Sequence, residues 1–164
     1  MAPNIPNVID CGACSLHFLT ANNVWFVEEL FRYNDVKKYY VLRSDHAANI
    51  RLFCQYVVNA NLQKQALNFI VFDNLGNEVG FISAEPMMNT NTNMPMWNVG
   101  YAIHPSHRLK GYASSAVSAL SDFLLQNFSF QQIMLDISED NIASQKVAKK
   151  CGFTKPNDHR GYFD

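Results

Sequence analysis

No stretch of this sequence approaches the roughly 20 apolar residues needed to cross a bilayer. Charge of one sign is missing too. The 164 residues carry 13 Lys plus Arg against 14 Asp plus Glu, a formal charge of −1. The basic residues are scattered, so the footprint that a phosphate backbone demands is absent and nucleic acid is not an expected partner. Met1 to Asp10 shows no basic segment followed by an apolar block, which points to a cytoplasmic protein with no membrane partner. Cysteine is scarce: Cys11, Cys14, Cys54 and Cys151 are the 4 present, too few for a disulfide scaffold. Cys11-Gly12-Ala13-Cys14 has C-x-x-C spacing, but no second pair follows it and an alternating segment, not a helix, comes next. His104 and His107 straddle Pro105 with no carboxylate at ligand spacing, so no metal is expected. Neither G-x-x-x-x-G-K-S/T nor G-x-G-x-x-G occurs, which disfavours P-loop and dinucleotide-binding folds.

Apolar mass is plentiful. Hydrophobic residues make up 48% of the chain, including 12 Phe, 7 Tyr and 2 Trp, enough for one well-cored domain over residues 1–164 with residues 1–13 as a polar tail. Cys14 to Leu19 reads as a strand. Thr20 offers an N-cap for a helix with Val24, Val27, Leu30 and Phe31 on one face. A second helix covers His46 to Ala60, ending at Asn59-Ala60-Asn61. Leu67 to Phe72 and Val79 to Ala84 form a hairpin about the Asp73 to Asn77 turn cluster. The Asn-rich segment 89–93 reads as a surface loop that could line a cleft, and Met96 to Ile103 is a strand ended by His104-Pro105. From Gly111, Ala113, Ala116, Val117, Leu120, Phe123 and Leu124 trace a helical stripe. Ile133 to Ile137 is a buried strand. Asp140 or Asn141 then caps a helix whose inner face carries Ala143, Val147, Ala148 and Cys151, with Gly152 beyond its end. The order β-α-α-β-β-β-α-β-α, with a C-terminal strand, predicts an α/β (α+β) fold.

Chemistry concentrates between Ile103 and Ser114. Arg108-Leu109-Lys110-Gly111-Tyr112-Ala113 lies between a strand and a helix, where successive N–H groups converge on a helix N-terminus and can cradle an anion. Gly111 leaves room for a phosphate, and Ala113 keeps the first turn small. The segment resembles the R/Q-x-x-G-x-G/A pyrophosphate loop of the GNAT family, the GCN5-related N-acetyltransferases. Trp97 to Pro105 before it, with Asn141-Ile142-Ala143-Ser144 and Lys150-Cys151-Gly152-Phe153 after it, resemble the bacterial ribosomal-protein-alanine N-acetyltransferase subgroup in the same order.

That resemblance implies a mixed sheet splayed between its fourth and fifth strands, here Met96 to Ile103 and Ile133 to Ile137. Acetyl-CoA would enter the splay as co-substrate. It would rest on Ile103, Arg108, Leu109, Lys110, Gly111, Tyr112, Ala113 and Ser114, with Asn141 on the pantetheine side. A primary amine, either a protein N-terminus or a small molecule, would attack the thioester directly. Asp136 is the first candidate to take the amine proton, because Leu135-Asp136-Ile137 resembles the stretch where some relatives carry a glutamate; Glu85 and Asp164 are weaker candidates. Ser144 matches the serine placed beside the sulfur, and backbone N–H groups near Ala102 to His104 would hold the oxyanion. A non-catalytic CoA-binding or regulatory module is the alternative. The expected assembly is a monomer or a homodimer.

Overall fold

The computed structural model describes residues 3–155 and 161–163. One sheet of seven strands, in sequence order from edge to edge, runs through them: β1 (Val8–Asp10), β2 (Cys14–Phe18), β3 (Leu67–Asp73), β4 (Glu78–Asn89), β5 (Met94–Ile103), β6 (Ile133–Asp136) and β7 (Gly161–Phe163). All neighbours are antiparallel except β5 and β6, which are parallel. Helices α1 (Trp25–Leu30), α2 (Asn34–Tyr39), α3 (Ser44–Ala48) and α4 (Ile50–Leu62) precede β3. A short 3-10 turn (Pro105–His107) leads to α5 (Tyr112–Asn127), and α6 (Ile142–Lys150) follows β6.

Alternation along the central strands feeds two cores, because successive side chains leave opposite faces of a sheet. Phe69, Val71, Ile82, Val99 and Leu135 pack against Leu120 and Leu124 of α5. Ile70, Phe81 and Ala102 turn the other way, onto Phe26, Val27 and Leu30 of α1 and Phe53 and Val57 of α4. Each such side chain taken fully out of water stabilises the fold by about 1.5–3 kcal/mol. Asn61 ties α4 to the sheet: its Nδ2 donates to the carbonyls of Leu19 and Asn68, each at 2.9 Å, and its Oδ1 accepts from the Asn68 amide at 2.8 Å.

The expected splay is present. Register between β5 and β6 is limited to Trp97 opposite Ile133 and Asn98 opposite Met134. Past that point β5 runs on to Ile103 and β6 to Asp136 without pairing. Gly100 sits where the strands part, and a Cβ there would come within 3.3 Å of the Tyr40 ring.

Several expectations need correction. Residues 1–13 are not simply a tail, since Val8–Asp10 pairs with Ser15 to His17 of β2 as the edge strand; three residues are too few for an alternation pattern to register. Thr20 opens a turn, its Oγ1 accepting from the Asn22 amide at 3.2 Å, and is not a helix cap; α1 starts at Trp25. Helix α2 had no signal in the periodicity, because Val36 is its only buried residue. The Asn59 to Asn61 punctuation is helical and Asn61 is buried. The Asn-rich segment is the tip of the β4–β5 hairpin, with Asn89 opposite Met94. It lines neither cavity of the cleft.

Candidate active site

At the start of α5 the chain exposes amides by construction. Gly111 is the N-cap with φ 82° and ψ 6°, a left-handed conformation that glycine adopts without strain, and Leu109 two residues earlier has φ 64°. The first amide to find a carbonyl is that of Ser115, donating to Gly111 at 3.1 Å. The N–H groups of Tyr112, Ala113 and Ser114 therefore point out of the helix end unpaired, carrying its positive partial charge. Nothing lies within 4 Å of the point a Gly111 Cβ would occupy. Two left-handed residues bracket Lys110, so the loop curls around open space at that helix end, the geometry of an anion nest.

The open edge of β5 supplies more amides. Trp97 donates its N–H to Gln132 at 3.0 Å, toward β6, and His104 donates to Val79 at 2.8 Å, toward β4. Because backbone groups alternate, the amides of Tyr101 and Ile103 share the Trp97 direction and face the splay. This revises the expectation of Ala102 to His104 as oxyanion donors: within that span only Ile103 is free, since the His104 amide is spent on Val79. The Ile103 carbonyl accepts from Arg108 Nε at 3.1 Å. Arg108 also pairs with Asp35 of α2, and the guanidinium holds the Asp35 carboxyl below the usual carboxylate range. Arg108, though exposed, is thus tied to a strand edge and a helix.

Across the splay stands α6. Asn141 is its N-cap, the side chain accepting from the Ser144 amide at 3.2 Å. This fixes the Ser144 backbone at the first turn. The Tyr101 hydroxyl donates to Ser144 Oγ at 2.9 Å, leaving the serine proton free to turn elsewhere. Burial raises the Tyr101 phenol to about 12, with the bond to Ser144 opposing the rise. It is therefore neutral, and a donor, at physiological pH. In the sequence Tyr101 reads only as a core or cleft-lining aromatic of a strand; its bond to Ser144 shows in the structure.

Two cavities meet at this point. The larger, about 610 Å³, is lined by Ile103, Arg108, Leu109, Gly111, Tyr112, Ala113, Ser114, Asn141 and Ser144. The smaller, about 230 Å³, is lined by Tyr40, His46, Tyr56, Glu85, Asn98, Asp136 and Ser138. Tyr39, Tyr40, Tyr101, Asn141 and Ser144 border both, so a molecule lying in one reaches the other past the Tyr101–Ser144 pair. Lys110 belongs to the loop but is not among the lining residues. Asp136 lies exposed at the end of β6. Glu85, on β4 opposite Asn98, lines the same smaller cavity as Asp136 and accepts from the Tyr56 hydroxyl at 3.0 Å. Asp164 falls outside the described residues.

Helix α2 bridges the two lips of the larger cavity. Asp35 pairs with Arg108 on the β5–α5 side, and Lys38 Nζ lies 2.9 Å from Asp140 on the β6–α6 side. Lys38 keeps the Asp140 carboxyl below its ordinary range. Among the described residues, no group of three or more His, Cys, Asp or Glu side chains could hold a metal ion, and no helix is long and apolar enough to cross a membrane.

A mixed sheet splayed beside an unpaired helix N-terminus, with a hydroxyl pair between two cavities, defines a cleft with an anion-binding end and a smaller cavity beyond it. Comparison with known proteins gives this class its family. The model for the acetyltransferase (GNAT) domain matches residues 21–154, and the chain belongs to that family. It is 36% identical over 58 residues to the uncharacterised N-acetyltransferase YjdG of Bacillus subtilis (strain 168). The matches span 34% and 37% of the two curated relatives found, so the aligned stretches cover about a third of those proteins. Among solved structures, RimJ of Mycobacterium smegmatis, in complex with CoA-disulfide, superposes with a TM-score of 0.77 at 14% identity, covering 99% of this chain and 88% of that one. The ribosomal-protein-S5-alanine acetyltransferase of Vibrio fischeri gives 0.71 at 18%, over 90% and 83%. At these identities the likeness is one of fold.

Proposed function

We propose that this protein is an acetyl-CoA-dependent N-acetyltransferase acting on a primary amine. One observation carries the reading. The unpaired amides of Tyr112, Ala113 and Ser114 open on the same cleft as the Tyr101–Ser144 pair, and that cleft continues into a second cavity bearing Asp136. The residues fit the nucleotide thioester: an anion nest for its diphosphate, a free strand edge at Tyr101 and Ile103 for its amide arm, and a proton donor near the sulfur. Arg108, Leu109 and Lys110 frame the nest and Asn141 borders the arm. When bound, acetyl-CoA supplies an activated acyl group.

The chain's own groups manage the charges. An ammonium must lose a proton before its nitrogen can attack, and Asp136 takes it, directly or through water. As the nitrogen–carbon bond forms, the carbonyl oxygen gains charge, which the Ile103 amide meets. When the carbon–sulfur bond breaks, the thiolate receives a proton from Ser144, whose oxygen is held by Tyr101. Two protons leave the nitrogen between ammonium and amide: the first passes through Asp136 to solvent, and the second, through water, replaces the proton that Ser144 gives to sulfur, so the step balances without a metal or redox partner.

The test is release of free thiol from acetyl-CoA in the presence of a panel of primary amines, run beside thermal melting with CoA. Binding at 100 times the dissociation constant should add about 2.7 kcal/mol of stability. Thiol release dependent on amine and lost in Ser144→Ala supports the proposal. Stabilisation by CoA without thiol release from any amine supports a binding module instead.

A further inference from the structure

The smaller cavity has a far end that acetyl transfer itself does not use. There Tyr56, His46 and Glu85 stand together: the His46 and Tyr56 rings are 5.3 Å apart, and the Tyr56 hydroxyl donates to Glu85 Oε1 at 3.0 Å. His46 is only 7% exposed, and it lines the cavity. Arg43, also on this wall, is neutralised in place by Asp45, with Nη2 to Oδ2 at 2.9 Å and Nε to Oδ1 at 3.3 Å. At this end the cavity is faced by the Glu85 carboxylate, the His46 ring and the Tyr56 ring. They suit a cation with several N–H donors.

Resting on the acetyl-transfer reading above, we propose that the acceptor is a small diamine, its reacting amine beside Asp136 and its second ammonium bound at the far end by Glu85, His46 and Tyr56. Sheet geometry sets the length. Glu85 opposes Asn98, Asn98 opposes Met134, and Asp136 lies two residues further along β6. Two strand spacings and two residues put the backbones about 12 Å apart. Both side chains lie on the same face of the sheet, and with each reaching inward there is room for a chain of about four methylenes between two ammonium groups. Glu85 thereby fixes which amine is accepted and does not abstract the proton.

The discriminating experiment is calorimetric binding of 1,4-diaminobutane and of n-butylamine to the protein saturated with CoA, in the wild type, Glu85→Gln and Tyr56→Phe. The diamine should bind at least about tenfold more tightly than the monoamine, and Glu85→Gln should reduce that preference to about twofold while leaving n-butylamine unchanged. Tyr56→Phe keeps the ring and should lose part of the preference. Equal binding of the two amines, no measurable binding of either, or an equal loss for both in Glu85→Gln would overturn the inference. So would a peptide with a free N-terminus that bound as tightly as the diamine independently of Glu85. Selective, Glu85-dependent diamine binding without thiol release would uphold this site and count against acetyl transfer, so the two readings fail separately.

Discussion

Between Ile103 and Ser114 the cleft is faced by main-chain amides beside His107 and Arg108, whereas between Tyr39 and Tyr56 it is faced by three phenols, Arg43 and an imidazole and, from β4, a carboxylate. The first region recognises by backbone shape, so its residue types are fixed only where φ is positive or a side chain would intrude. On the acetyl-transfer reading the second would recognise by side chains, of which Tyr40 and His46 also pack on Phe53 while Tyr56 is exposed and Glu85 half-buried. The teaching is that one cleft can hold its invariant ligand with the fold and its particular ligand with the surface. A substitution in the backbone half should remove binding of every nucleotide thioester, while one in the side-chain half should alter which amine is used.

Gly111 gives the sharpest way to break this contrast. Gly111→Glu places a charge in the nest and strains a residue at φ 82°, so CoA binding measured by calorimetry should fall by more than about 100-fold. Gly111→Asn separates the two causes, because asparagine tolerates the left-handed region. It should keep the wild-type melting point within about 1 kcal/mol of stability and still weaken CoA by at least about tenfold. If the glutamate variant binds CoA normally, the backbone half does not hold the diphosphate.

Asp136→Asn should leave CoA affinity unchanged and lower kcat by roughly 10²–10⁴-fold, the usual scale for a lost proton acceptor. Tyr101→Phe should cost less, about tenfold in kcat, since Ser144 keeps its own hydroxyl. An equal loss of CoA affinity in either variant would move that residue into the binding half and blur the contrast.

This division also explains what was legible in the sequence. The loop from Arg108 to Ala113, the Asn141 cap and the strands Leu67 to Phe72 and Met96 to Ile103 all announce themselves through local rules, namely glycine at positive φ, helix capping and alternation. The acceptor half obeys none of these. Tyr40 at the end of α2, His46 on α3, Tyr56 on α4 and Glu85 on β4 are scattered along the chain, and only the packing of α4 over β4 brings Tyr56 to Glu85. Helix α2 was invisible for a similar reason: its work is two ion pairs to residues 73 and 102 positions away, Asp35 to Arg108 and Lys38 to Asp140. In the sequence Tyr101 reads as a core or cleft-lining aromatic, and only the splay shows that it reaches α6.

The smallest expected effect lies where the two halves meet, at His104. Its Nδ1 accepts from the Ser106 amide at 3.1 Å, so Nε2 carries the proton and donates it to the Tyr33 hydroxyl at 3.0 Å. Burial, followed by the nearby His107, lowers the His104 pKa below the ordinary histidine value. The unfolded chain therefore takes up this proton more readily than the folded one. The stability it represents is present above about pH 6.5 and is lost as pH falls through the folded value. Protonation would also put a second N–H where Ser106 now donates. Melting followed from pH 7 to pH 5 should show a fall on the order of 2 °C that is absent in His104→Gln. The ion pairs of α2 contribute in a separate window, below about pH 4, where Asp35 and Asp140 take up protons. An acid limb that survives unchanged in His104→Gln would place the sensitive group elsewhere and leave α1 and α2 seated on β5 by packing alone.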